Sequence, residues 1–115
     1  MPRLCRLREI QEPPLVRGFK PVGIPMRNLP EIVLTLDEIE ALRLADAEGL
    51  YQEEVATRMK VSRPTVGRIL AAARSKVARA LVQGYAIRLE GGPVQIHSLS
   101  EEKRASYSEE EGKKR

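Results

Sequence analysis

The chain has 115 residues, a formal net charge of +4, 42% apolar residues and only 3% aromatic ones. This supports one compact domain with an aliphatic core and flexible ends. It excludes a membrane-spanning helix, because no apolar run approaches the roughly 20 residues needed, and the single cysteine, Cys5, excludes an intramolecular disulfide.

Residues 1–12 read as a flexible basic arm, without the apolar stretch of a signal peptide, so a cytoplasmic location is expected. Six of the eight prolines fall in residues 1–30, which rules out a long helix there. Residues 13–34 therefore predict an extended segment packed on the body. It would hold one or two short strands, with Ile32-Val33-Leu34 as the β-prone part.

Thr35-Leu36-Asp37-Glu38 fits a capping box and starts a helix over about 36–47, stopped by Gly49. Leu36, Ile39, Leu42 and Leu44 supply its buried surface, with Arg43 interrupting the stripe. A second, short helix runs from Gln52 to Met59 and shares Val55, Ala56 and Met59 on one face. Ser62 caps a third helix, with Arg63 and Pro64 in its first turn. Its stripe is Val66, Ile69, Leu70, Ala73, Val77 and Leu81, and Gly84 ends it after roughly 30 Å. Tyr85 to Glu90 alternates as a strand should. Gly91-Gly92-Pro93 breaks it, and Val94 and Ile96 offer a return strand for a hairpin. The first of these strands could instead pair with Arg17 to Lys20. Residues 98–115, with five acids and five bases, read as a disordered charged tail.

The expected fold is therefore mainly α. Residues 35–97 form a three-helix core containing a helix-turn-helix, with an extended N-terminal segment and a short C-terminal strand or hairpin. Charge is segregated along it. Residues 35–50 carry five acids and one base, whereas residues 60–80 carry six bases and no acid. Such a field suits a polyanion on one face.

Gln52 to Leu70 meets the demands of a helix-turn-helix. Ala56 is small where the helices cross, apolar residues seal the angle, and Ser62 starts the second helix after a tight turn. Lys60 stands where many such turns place glycine, because the backbone there needs positive φ. The second helix of the unit would enter the major groove. Its outward face carries Pro64, Thr65, Gly67, Arg68, Ala71, Ala72 and Ser75, mostly small residues. Arg68 is the candidate for a bidentate contact to guanine, with Arg63 and Thr65 as further base-edge candidates. Gln52, Lys60, Ser62, Arg74, Lys76 and Arg79 are candidates for DNA phosphates.

These residues resemble uncharacterised protein family 0251, also called domain of unknown function 134. The resemblance rests on Leu36 to Asp46, Gln52-Glu53-Glu54, Val61 to Thr65 and Arg68-Ile69-Leu70. Phe19-Lys20-Pro21 with Gly23 and Pro25, and Glu90-Gly91-Gly92, add to it. It covers about residues 1–92 and implies DNA binding, which is predicted for that family. Leu34 to Leu81 is also similar to the promoter-reading region of sigma factors, which implies a sigma-factor-like DNA-contact module. The other regions of a working sigma factor are missing.

The sequence thus predicts a sequence-specific binder of double-stranded DNA and transcriptional regulator. It needs no cofactor or metal. An enzyme is not expected, since His97 and Cys5 lie at opposite ends and the acids lack ligand spacing. The alternative is a protein-interaction adaptor, for which the acidic first helix could meet RNA polymerase. One short reading helix covers few base pairs, so a homodimer is expected, with Tyr85 to Glu90 as a candidate edge.

Overall fold

A computed structural model describes residues 7–96. Cys5, His97 and the 98–115 tail lie outside the described residues. The elements in chain order are β1 (Arg8–Ile10), β2 (Gly18–Phe19), a 3-10 turn (Met26–Asn28), β3 (Glu31–Leu34), α1 (Leu36–Leu42), a π-helical turn (Arg43–Ala47), α2 (Gln52–Met59), α3 (Arg63–Gln83), β4 (Ala86–Leu89) and β5 (Val94–Ile96). No helix among the described residues is long and apolar enough to cross a membrane.

The helix boundaries follow from local chemistry. At the start of α1 the Thr35 N–H donates to Glu38 Oε1 at 2.9 Å, the return arm of the capping box. The helix then widens, with the Glu48 N–H reaching back five residues to the Arg43 carbonyl at 2.9 Å. That widening explains the broken stripe. Ala41 and Leu44 are fully buried, while Leu36, Ile39 and Leu42 are half-buried. Gly49, at φ 77°, ends the run.

Two sheets flank the helices. The larger has the order β2-β4-β3. Within it β4 is antiparallel to β2, pairing Phe19 with Ile87, and parallel to β3, pairing Leu34 with Leu89. The pairing of the Tyr85–Glu90 strand with Arg17–Lys20 is therefore realised. Because β4 is central, it cannot serve as a free dimer edge. The expected hairpin between β4 and β5 is not formed. Instead β5 pairs in parallel with β1, Arg8 opposite Val94 and Ile10 opposite Ile96.

That second sheet corrects the expectation of a flexible arm for residues 7–12, and residues 1–6 lie outside the described residues. Ile10 is 1% exposed, and the Gln11 N–H donates to Glu40 Oε2 at 2.8 Å. The burial of one isoleucine and a buried carboxylate acceptor hold the segment. The loop before β5 is also anchored. The Leu36 N–H donates to the Gly91 carbonyl at 3.0 Å. Gly92 sits so close to the start of α1 that an added Cβ would lie 2.9 Å from Thr35 Cβ and 2.7 Å from Asp37 Oδ1.

The core has two parts that meet along α3. One joins Ala41, Leu44, Val55, Ala56, Met59, Val66, Ile69 and Leu70. The other joins Leu34, Ala73 and Leu89, with Ile39, Leu42, Val77 and Ile87 packed on it. Leu81 was expected to continue this stripe but is 77% exposed. Ala80 takes the buried position there, because the sheet that receives the last turn lies on its side.

Candidate nucleic-acid interface

The site is built on the α2–α3 corner. Lys60 closes α2 in the left-handed conformation, φ 57° and ψ 46°, and is the non-glycine residue with positive φ among the described residues. The Val61 N–H then reaches back to the Ala56 carbonyl at 3.1 Å, so the connection to α3 takes only Lys60, Val61 and Ser62. The sequence pointed to this backbone demand, and lysine meets it where glycine is usual.

Ser62 caps α3 as expected. Its Oγ accepts from the Thr65 N–H at 3.3 Å and lies 2.8 Å from Thr65 Oγ1. Arg63, Pro64, Arg68, Ala71, Ala72, Ser75 and Arg79 are exposed, while Thr65 and Gly67 are half-buried. Arg68 and Arg79 lie eleven residues apart, so at 100° per residue they share one line along the helix, about 16 Å from each other. Between them along this face stand only Ala71, Ala72 and Ser75 as exposed neighbours. Arg68 donates to Thr65 Oγ1 at 3.1 Å. Gln52 comes over the flank of α3 from the start of α2, its Oε1 3.7 Å from the space where a Gly67 Cβ would be, roughly 100° round the helix from Arg68.

The other basic residues divide by their position around α3. Arg74 and Lys76 stand roughly 120° and 80° off the line of Arg68, on opposite flanks. Arg74 forks onto Asp46 with bonds of 3.0 and 2.7 Å. That hydrogen bond is the main reason the Asp46 pKa is lowered and the Arg74 pKa raised. Both side chains are about half exposed, so the pair contributes little to stability and can open. Lys76 is different. Its Nζ donates to the Val33 carbonyl and to Glu38 Oε1, both at 2.9 Å, and Glu38 is buried. Lys76 is thereby a tie between α3, β3 and α1, with its ammonium engaged within the chain. Arg63 meets Glu53 at 3.2 Å in an open surface pair. The side chains brought together on the exposed corner are thus Gln52, Lys60, Ser62, Arg63, Thr65 and Arg68, with Arg79 further along and Arg74 on the flank.

Tyr51 is an exposed neighbour of the corner that is not among the residues picked out from the sequence. It is 84% exposed at the N-cap of α2, next to Gln52. The signal in the sequence was its place immediately before a helix start, where a hydroxyl can serve a phosphate. The acids of α1 are not presented to solvent. Asp37, Glu38 and Glu40 are buried. Glu40 accepts two bonds of 2.9 Å from Arg43, which raises the Arg43 pKa, and Asp37 lies 3.8 Å from Arg8.

Comparison with known proteins places the chain in a family. The family model described as "Protein of unknown function DUF134" matches residues 1–97. A UPF0251 protein of Thermoanaerobacter sp. (strain X514) is 56% identical over 97 residues, covering 84% of this chain and 86% of the relative. One from Caldanaerobacter subterraneus subsp. tengcongensis is 55% identical over 97 residues, with 84% and 82% covered. One from Halothermothrix orenii is 50% identical over 99 residues, with 86% and 73% covered. No solved structure matches the chain.

Proposed function

Since the chain belongs to the DUF134 family, whose curated members carry the name UPF0251, we propose a function from its own geometry: it binds double-stranded DNA in a sequence-specific way and regulates transcription. In this reading α2 and α3 form a sigma-factor-like helix-turn-helix, and α3 lies in the major groove. The observation that carries it is the line of α3 on which exposed Arg68 and Arg79 bracket Ala71, Ala72 and Ser75, with Arg68 donating to Thr65 Oγ1 at 3.1 Å and Arg79 to Ser75 Oγ at 3.5 Å in the free protein. A face of small residues lets a helix sit deep in a groove. Arg68 then reaches a guanine edge, and Arg63 and Thr65 meet neighbouring bases from the first turn. Lys60, Arg79 and Arg74 neutralise phosphates. Gln52 and Ser62 orient the corner on the backbone.

The adaptor reading fares less well. An acidic surface on α1 for RNA polymerase would need Asp37, Glu38 and Glu40, and all three are buried against bases of this chain.

Salt separates the two readings. Three phosphates neutralised by Lys60, Arg74 and Arg79 give a slope of log K against log salt near −2.7, a loss of about 40-fold between 50 and 200 mM. Duplexes selected from a random library, titrated across that range, should follow this slope and share a motif. Binding to no duplex, or binding without salt dependence, would refute the proposal.

A further inference from the structure

What an arginine can read depends on where its guanidinium is held, and the exposed arginines of α3 are held in different ways. Arg74 uses Nε and Nη2 on Asp46. Arg68 and Arg79 each give a terminal nitrogen to a hydroxyl one turn earlier, on Thr65 and Ser75. Arg63 is met at Nε instead. Its partner is Glu53 Oε2 at 3.2 Å, from the first turn of α2. Among the described residues, no hydrogen bond engages Nη1 or Nη2 of Arg63.

The backbone on both sides of this pair is fixed. Ser62 caps α3 through the Thr65 N–H, and Pro64 sets the first turn directly after Arg63. The neighbouring acid, Glu54, is tied along α2 to Arg58 at 3.1 Å. Glu53 is therefore the carboxylate of this turn that reaches α3.

We infer that Glu53 is a positioning residue for base reading: anchored at Nε, Arg63 offers its two terminal nitrogens to one base edge, and the base it selects is guanine. This rests on the DNA reading proposed above. Two parallel donors match the O6 and N7 acceptors of guanine, a pair that no other base presents in the major groove. An unanchored arginine must give up rotamer freedom to make that contact, and the anchor reduces the loss. The charge of Glu53 acts in the same direction. Its side chain is 71% exposed next to Gln52, so it opposes the phosphates of every duplex alike. Specificity is a difference between affinities, so a carboxylate that weakens indiscriminate attraction while ordering a base-reading arginine widens it. The size is bounded, because an exposed ion pair is weak. A pair of this kind shifts the held population about two- to five-fold. As an acid in the first turn of α2, Glu53 also steadies that helix end, but a loss of that support acts on all duplexes equally.

The test is titration of a selected duplex and its single-base-pair variants at fixed salt. The proteins are the full chain, Arg63→Ala, Arg68→Ala, Glu53→Ala and the double variant Glu53→Ala/Arg63→Ala. Arg63→Ala should abolish discrimination at one position, a guanine. Glu53→Ala should lower discrimination at that same position about two- to five-fold and leave the position lost in Arg68→Ala unchanged. With Arg63 already alanine, Glu53→Ala should change no discrimination. Wild-type discrimination in Glu53→Ala would overturn the inference. So would a loss spread over all positions, a loss at a different base pair, or one that persists without Arg63. An Arg63 that reads no base, or a base other than guanine, would overturn it while leaving Arg68 and the DNA reading in place. Binding to no duplex by any of the proteins, wild type included, would instead remove the DNA reading itself, and this inference with it.

Discussion

Replacing Lys60 with glycine should make the domain more stable and its DNA binding weaker. Lys60 holds φ 57° and ψ 46°, a conformation that costs a residue with a Cβ about 1–2 kcal/mol. Glycine removes that cost but gains freedom in the unfolded chain, which takes back about 0.5–1 kcal/mol. The net gain is about 0.5–1 kcal/mol, or roughly 2–8 °C in Tm for a domain of this size. Lys60→Ala is the control, since it keeps the Cβ and should stay within about 0.5 kcal/mol of the wild type. Both variants delete one charge from the corner. Each should flatten the salt slope by about 0.9 if Lys60 lies against a phosphate. Thermal melts at fixed salt read the first effect, and fluorescence anisotropy of a labelled duplex across salt reads the second. Equal Tm values for the glycine and alanine variants would refute the backbone argument. An unchanged salt slope in both would take Lys60 out of the interface.

Four further outcomes are expected. Arg68→Ala should cost about 1–3 kcal/mol of binding to a selected site and relax specificity at one base position; equal loss on every sequence would show a phosphate contact instead. Lys76→Ala should leave the salt slope of DNA binding untouched and lower folding stability by about 1–3 kcal/mol, because it takes the bonded ammonium away from the buried Glu38 carboxylate, which keeps its bond from the Thr35 N–H, and removes the side-chain donor to the Val33 carbonyl; a denaturant titration checks it, and a wild-type midpoint would contradict it. Asp46, whose pKa is lowered by the Arg74 hydrogen bond, adds stability above the ordinary carboxylate range, lost as pH falls through its depressed value. Asp46→Asn should flatten that acid limb slightly and free Arg74, and a pH series of melts with an unchanged limb would refute the pairing. Gly92→Ala should destabilise by more than about 1 kcal/mol, since φ is 94° and the new methyl meets Thr35 and Asp37; a melt at the wild-type temperature would show that the loop does not dock on α1.

What the sequence revealed was what neighbouring residues decide. Thr35 and Glu38, Ser62 and Thr65, Gly49 and Gly84 act within one turn, so all three helices are readable from them. The α2–α3 corner was legible for the same reason, down to the positive φ at Lys60. The misses are contacts between distant parts of the chain. β1 and β5 are three residues each and pair in parallel across more than eighty positions, which leaves no hairpin signal. Lys76 looked like another member of a basic run, because Glu38 and Val33 lie about forty residues upstream. Leu81 kept the apolar stripe going where the partner of the last turn lies on the side of Ala80 instead. Periodicity records which residues are apolar, not on which side of the helix a distant element packs.

The most direct test of the α3 interface is an amide chemical-shift titration of the full chain with a selected duplex. Shifts should concentrate at Tyr51 and Gln52 and from Lys60 to Arg79, with β1 and β5 silent. Perturbations centred on β1, β5 or the α1 acids, with α3 unmoved, would contradict it.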